Sequence, residues 1–195
     1  MNALREELLA AARAKNRPAL LAIDGRCASG KTTLAALLAE RWDAGVVHMD
    51  DFFLRPEQRS AERFAVPGEN IDHERFREEV LLPLSRGEAA AYRRFDCRDF
   101  SLSAPIPVPQ TPILVIEGSY SCHPELREFY DRRIFLDIDA ETQKARLIAR
   151  EGPERWKDFE ERWIPLEEAY FRECAVRECC DLVFGPDDSP DAWDF

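Results

Sequence analysis

Two glycines, a lysine and a threonine at fixed spacing give this chain its first chemical meaning. Gly25, four further residues, Gly30, Lys31 and Thr32 form the pattern G-x-x-x-x-G-K-[ST]. At Gly25 and Gly30 the backbone can adopt angles that a Cβ forbids. Successive amides, with Ala28, Ser29, Lys31, Thr32 and Thr33 among them, can then turn inward around a phosphate. Lys31 adds a point charge able to reach the β- and γ-phosphates. Thr32 places a hydroxyl where Mg2+ would sit, since that ion keeps a few oxygen ligands together with phosphate and water.

Two further strand ends carry acids. Val46-Val47-His48-Met49 reads as a buried strand that runs into Asp50 and Asp51. A carboxylate there can accept the proton of a hydroxyl attacking a γ-phosphate. Side chains alternate along an extended chain, so one of the two acids faces a cleft: Asp50 is the choice and Asp51 the alternative, unless both simply cap the turn. Glu117 closes the apolar run Ile113-Leu114-Val115-Ile116 and is placed to hold Mg2+, directly or through water, or to cap a neighbouring helix. Gly118 after it suggests that something passes close by. Arg146 and Arg150 share a helix face, and Arg155 follows the break at Gly152-Pro153. Arginines there suit a lid that spreads the charge of a triphosphate and excludes water; a solvated face paired with Glu141, Glu151 and Glu154 is the plainer reading.

These groups need elements to position them. Ala19 to Ile23 reads as a buried strand before the glycine loop, and Leu34, Leu37, Leu38 and Trp42 line one face of a helix after it. Strand, loop and helix therefore follow in the order that aims a helix N-terminus at an anion. A helix is expected over 2–15, a surface loop over 54–69, a helix over 70–84 and an extended proline-rich segment over 101–112. Strands follow at 113–116, 133–138 and 181–184, with helices at 142–150 and about 159–178. Strands alternating with helices predict an α/β fold: a three-layer α/β/α sandwich of the P-loop NTPase type, with a mostly five-stranded parallel sheet and a short helical lid near 151–160. All three chemical stretches fall at the carboxyl ends of strands, where such sheets bind ligands.

At 195 residues the chain suits a single domain, 1–195, with an acidic tail over 185–195. A formal net charge of −11 argues against nucleic acid as partner and for a small ligand held by local positive charge. No apolar run approaches the ~18 residues of a membrane span, and Arg5, Glu6 and Glu7 interrupt any leader-like run, so a cytoplasmic location is expected. The six cysteines include no C-x-x-C spacing, and reduced thiols are expected. Cys27 lies inside the loop; oxidation there would block a nucleotide, although a small residue that merely fits is the simpler account. Asn2, Asn16 and Asn70 are the only asparagines, and none belongs to an N-K-x-D guanine motif.

Taken together, GRCASGKTT, HMDDFF at 48–53, NIDHERF at 70–76, YRRFDC at 92–97, LVIEG at 114–118 and LDIDAETQKARLIARE at 136–151 resemble the uridine kinase family of phosphate-loop kinases. That group also includes phosphoribulokinase and nicotinamide riboside kinase. The resemblance covers most of residues 19–187 and implies transfer of the ATP γ-phosphate to a primary hydroxyl of a ribose-like small molecule. It implies Asp50 as general base, Lys31 and Arg150 as catalytic cations, and Thr32 and Glu117 as Mg2+ ligands. Arg150 and Arg155 match the lid. Asp72 matches the acid that holds ribose hydroxyls, and alone reads equally as a helix N-cap. Tyr92 and Phe95 fall in the substrate-contacting segment, where aromatic residues also mean packing. The chain departs from uridine kinases after Phe95, where Asp96-Cys97-Arg98 replace the histidine and arginine that help read the base. Its Glu151-Gly152-Pro153-Glu154-Arg155 also lacks the usual E-R-G-R form, and the double acid of MDDFF is closer to nicotinamide riboside kinases. Kinases for pantothenate or a sugar phosphate, or an ATP-binding regulator, are the competing readings. Oligomeric assembly is open to either outcome.

Overall fold

Five apolar runs build the sheet of the computed structural model, which describes residues 1–186 and 188. They are β1 (Ala19–Gly25), β2 (Gly45–His48), β3 (Ile113–Glu117), β4 (Arg132–Leu136) and β5 (Leu182–Phe184). The order across the sheet is β2-β3-β1-β4-β5, and every pair is parallel. β1 and β3 are buried along their whole length, which is why they read as unbroken apolar runs rather than alternating ones.

The pleat divides these residues between two cores. Ala19, Leu21 and Ile23 face one side with Leu4 and Leu8 of α1 (Asn2–Lys15) and Leu34, Ala35, Leu38 and Trp42 of α2 (Lys31–Trp42). Leu20 and Ala22 face the other with Phe76, Val80 and Leu81 of a rod over 73–85 (α3), and with Tyr170 and Phe171. The last two belong to a rod over 153–173 (α5), which follows α4 (Ala140–Glu151) after Gly152. Helix, sheet and helix make the expected three layers.

Several bounds differ from expectation, for local reasons. α3 starts at His73, because Ile71 pairs with Phe53 in an isolated antiparallel bridge and Asp72 caps the helix by accepting from the Arg75 amide. The stretch 54–69 is less of a loop than its polarity suggests: it holds short turns at Pro56–Gln58 and Ala61–Phe64, and Leu54 is buried. α5 ends at Glu173, where the chain turns through Ala175 at φ 47°. The fourth strand stops at Leu136, and the proline-rich segment forms two-residue ladders with 91–96. Of the expected acidic tail, 187 and 189–195 lie outside the described residues.

Both rods contain a wide π turn just ahead of a proline. Leu82 donates to the Arg77 carbonyl ahead of Pro83, and Ile164 donates to that of Phe159 ahead of Pro165. A proline inside a helix has no N–H and crowds the carbonyl four residues back, and the wider turn makes room for it.

α1 is tied to the sheet by Asp131, whose carboxylate accepts from Lys15 (2.5 Å), Arg17 (2.8 Å) and the Leu20 amide (2.8 Å). Burial alone would raise its pKa, but these donors outweigh it and hold the carboxyl below its ordinary range. The stabilisation is therefore present above the unfolded carboxylate pKa and disappears as pH falls through the lower folded value. Asp131→Asn is expected to cost about 2 kcal/mol at neutral pH, the scale of hydrogen bonds to a charged group. In urea melts the gap to the parent should close in acid; a gap that persists unchanged there would remove the ion pair as its cause.

Candidate active site

The parallel register sets the site. Ile23 and His48 both pair with Glu117, so the ends of β1, β2 and β3 are level at one edge. β3 lies between the consecutive strands β1 and β2, and a sheet whose order is interrupted in this way opens a crevice at its carboxyl ends.

At the end of β1 the chain presses against β4. A Cβ on Gly25 would lie 2.0 Å from the Leu136 carbonyl oxygen, so only glycine fits. The preceding Asp24 is fully buried and accepts from the amides of Gly25 (2.7 Å) and Cys122 (2.8 Å) and from the Tyr170 hydroxyl (2.8 Å). Burial pushes its carboxyl up to about 6, against those hydrogen bonds. The loop then turns through Ala28 at φ 62°, closes with Ser29 N–H on the Arg26 carbonyl (3.1 Å), and enters α2 at Gly30. Lys31 is buried and its ammonium donates to the carbonyls of Gly25 (2.6 Å) and Arg26 (2.8 Å).

Glu117 comes from β3 to the same place. Thr32 Oγ1 donates to its two oxygens at 3.3 and 3.2 Å, and His48 Nδ1 meets Oε1 at 2.5 Å. The hydrogen bond to Glu117 raises the His48 imidazole above its ordinary range, against the lowering effect of partial burial. A hydroxyl and a carboxylate at this spacing are hard oxygen donors of the kind Mg2+ prefers, and the buried Oγ of Ser29, a residue of the same loop, has no protein partner among the described residues.

A cavity of about 1080 Å3 joins these groups, and its walls include Lys31, Thr32, Asp50 and Glu117. Asp50 opens onto it. Crowding by surrounding protein raises the Asp50 carboxyl, and nearby Glu117 and Glu167 add to this against the pull of Lys31. Asp51 turns away and accepts from the Tyr92 hydroxyl at 2.8 Å. Of the arginines, Arg146 donates to the Ala28 carbonyl (3.1 Å), while Arg150 and Arg155 line the cavity and both pair with Glu151.

Three expected substrate residues are placed elsewhere. Asp72 is buried behind the wall, capping α3 and bonding Arg75 Nε at 3.1 Å; Tyr92 and Phe95 are packed in the interior. They support the wall and do not line it. Cys27 is also inert: burial raises its thiol to about 12, and Gln143 Nε2 meets both its carbonyl and its sulfur.

Sequence reasoning missed Asp24, His48 and Glu167. Glu167 is buried on α5, accepts from the Cys27 amide (3.0 Å) and the Ser119 hydroxyl (2.6 Å), and lines the cavity. Its signal was an acid three residues before Tyr170, on the buried side of a helix. Glu69, His73 and His123 are the one group of metal-ligand spacing among the described residues. Yet the two imidazoles stack face to face at 4.0 Å, so their lone pairs run parallel, and Arg63 already pairs with Glu69.

The chain matches no protein-family model. It is 28% identical over 166 residues to Uridine kinase-like protein 3 of Arabidopsis thaliana, covering 80% of this chain and 35% of that protein. The chain thus spans about a third of that relative's length. It is also 28% identical over 153 residues to a uridine kinase of Brevibacillus brevis, covering 73% of this chain and 71% of that one. In fold it resembles a possible uridine kinase from Bacillus stearothermophilus, with a TM-score of 0.65, 22% identity and coverage of 93% and 98% of the two chains.

With 3 histidines in the chain, the His48–Glu117 contact is directly observable. Imidazole NMR should show His48 titrating above the ordinary value of about 6.5, and Glu117→Gln should bring it back down. An unchanged His48 titration in that variant would break the link.

Proposed function

We propose that the chain is a uridine kinase-like phosphate-loop kinase that transfers the γ-phosphate of ATP to a primary hydroxyl of a nucleoside-like small molecule, a reading its similarity to uridine kinases and uridine kinase-like proteins supports. The observation that carries this reading is that the loop residues 27–33, the Thr32–Glu117 pair and Asp50 all face one cavity.

Each residue has a physical task in that reaction. The amides of the loop and the N-terminus of α2 receive the β- and γ-phosphates, and Lys31 leaves its backbone carbonyls to meet them. Thr32 and Glu117 would hold Mg2+, which supplies charge neutralisation between the phosphates. Asp50 takes the proton of the acceptor hydroxyl. Its raised pKa makes it a stronger base than an ordinary aspartate, and it works only when ionised, so turnover falls as pH drops through that value. Arg150 and Arg155, on either side of the Gly152 break, can leave Glu151 for the triphosphate and close the segment 151–160 as a lid.

The acceptor end supports a second reading within the same chemistry. Phe53, Phe64, Tyr120 and Trp163 give flat apolar walls suited to a base or ring. Arg59 and Arg162 line the same region, Arg162 stacking 4.5 Å from the Trp163 ring. Two guanidinium groups there favour an acceptor that also carries an anion, such as a sugar phosphate or pantothenate, over neutral uridine.

Nucleosides, nicotinamide riboside, pantothenate and sugar phosphates, scored by ADP release with Mg-ATP, test the assignment; release stimulated by none of them would favour an ATP-binding regulator. Asp50→Asn should keep ATP affinity while kcat falls by roughly 10²-fold or more. Equal turnover would move the base elsewhere. Lys31→Ala should abolish tight ATP binding in calorimetry, and near-parental affinity would count against the loop as the phosphate site.

A further inference from the structure

The thiols that sequence spacing leaves unrelated are brought together by the fold. Cys174, Cys179 and Cys180 pack against the same core that holds fully buried Cys122. Cys122 Sγ lies 3.9 Å from Cys180 Sγ, while the Cys179 thiol donates to the Val176 carbonyl at 3.1 Å. Arg127 bridges the group, donating to the carbonyls of Cys122 (2.8 Å) and Cys174 (2.5 Å). The same Cys122 gives its amide to Asp24, the acid that fixes Gly25 at the root of the phosphate loop.

We propose that Cys122 and Cys180 are a dithiol–disulfide pair, and that closing the bond is felt at the phosphate loop through Asp24. The two sulfurs are already in contact and need a further approach of about 2 Å to reach bonding distance. Cys180 can move, because it is half-buried in the turn that precedes β5. Cys122 is fully enclosed and out of reach of a small disulfide, whereas Cys180 is partly exposed, so Cys122 resolves rather than starts the exchange.

With a small disulfide as oxidant the chemistry balances. Cys180 gives up its proton and attacks one sulfur of the small disulfide, whose S–S bond breaks and releases one small thiolate. Cys122 then gives up its proton and attacks the Cys180 sulfur of the mixed disulfide, releasing the second small thiolate. The protein pair has lost two electrons and two protons, and both protons end on the two small thiols. Drawing Cys122 toward Cys180 pulls its amide from Asp24, and with it the partner that orients the Gly25 amide. The loop is then less well set to receive phosphate.

The full chain is treated with oxidised glutathione, its free thiols are alkylated, and its peptides are mapped without reduction. A Cys122–Cys180 cross-link is expected, reversed by dithiothreitol, retained in Cys179→Ser and lost in Cys180→Ser. ATP affinity should weaken several-fold on oxidation, recover on reduction, and be insensitive to oxidant in Cys180→Ser. A Cys179–Cys180 bond, or a mixed disulfide that goes no further, overturns the pairing. A mapped cross-link with unchanged ATP affinity overturns the coupling. The affinity measurement rests on the kinase reading and the mapped bond does not, so reduced protein that fails to bind ATP indicts the former alone.

Discussion

The buried carboxylate of Asp24 is the joint on which the site is assembled. It is the penultimate residue of β1 with no access to solvent, and its three donors come from the loop itself, from the segment after β3 and from α5. An acid taken out of water is tolerable only when its oxygens are occupied, so the cost of burial becomes a requirement that three distant pieces of chain meet. The burial-raised pKa records how much that environment disfavours charge. Ser121 reinforces the arrangement by donating to the Ile23 carbonyl at 2.9 Å. Loop, Glu117 strand and final helix thereby share one reference point.

Charge is distributed to the same end. The chain is strongly acidic overall, yet its phosphate loop is built around Lys31, and Arg146, Arg150 and Arg155 gather at one rim of the cavity. Acids line the cavity as well, and most are engaged: Glu117 by Thr32 and His48, Glu167 by Cys27 and Ser119, Glu151 by two arginines. Asp50 lines the same cavity, with a carboxyl raised by its surroundings. Neighbouring acids that would otherwise repel one another and the phosphates are thus quenched locally.

Much of the architecture was legible because it is periodic. Continuous apolar runs gave β1 and β3, and the spacing of Leu34, Leu38 and Trp42 gave α2, since a two-face core leaves those patterns little freedom. The Gly25–Thr32 motif was legible because the backbone geometry it demands excludes most other residues. What escaped is decided in three dimensions. Asp72, Tyr92 and Phe95 were read as facing a substrate, but the bridge between Phe53 and Ile71 and the packing of the 91–96 ladders turn them inward. Glu167 was invisible because its partners lie 140 and 48 residues away. The clustering of Cys122 with Cys180 depends on a turn that sequence reasoning had drawn as helix.

The strand order has a bearing on how the molecule comes into being. β1 carries the phosphate loop, yet both of its sheet neighbours, β3 and β4, are encoded far downstream, and Asp24 waits 98 residues for Cys122. During synthesis the glycine motif therefore emerges long before anything can hold it in shape. Pairings of such long range are slow to form because loop closure precedes their reward. Competence to grip a polyphosphate is in this sense acquired late, when strand β3 slots between two strands made much earlier.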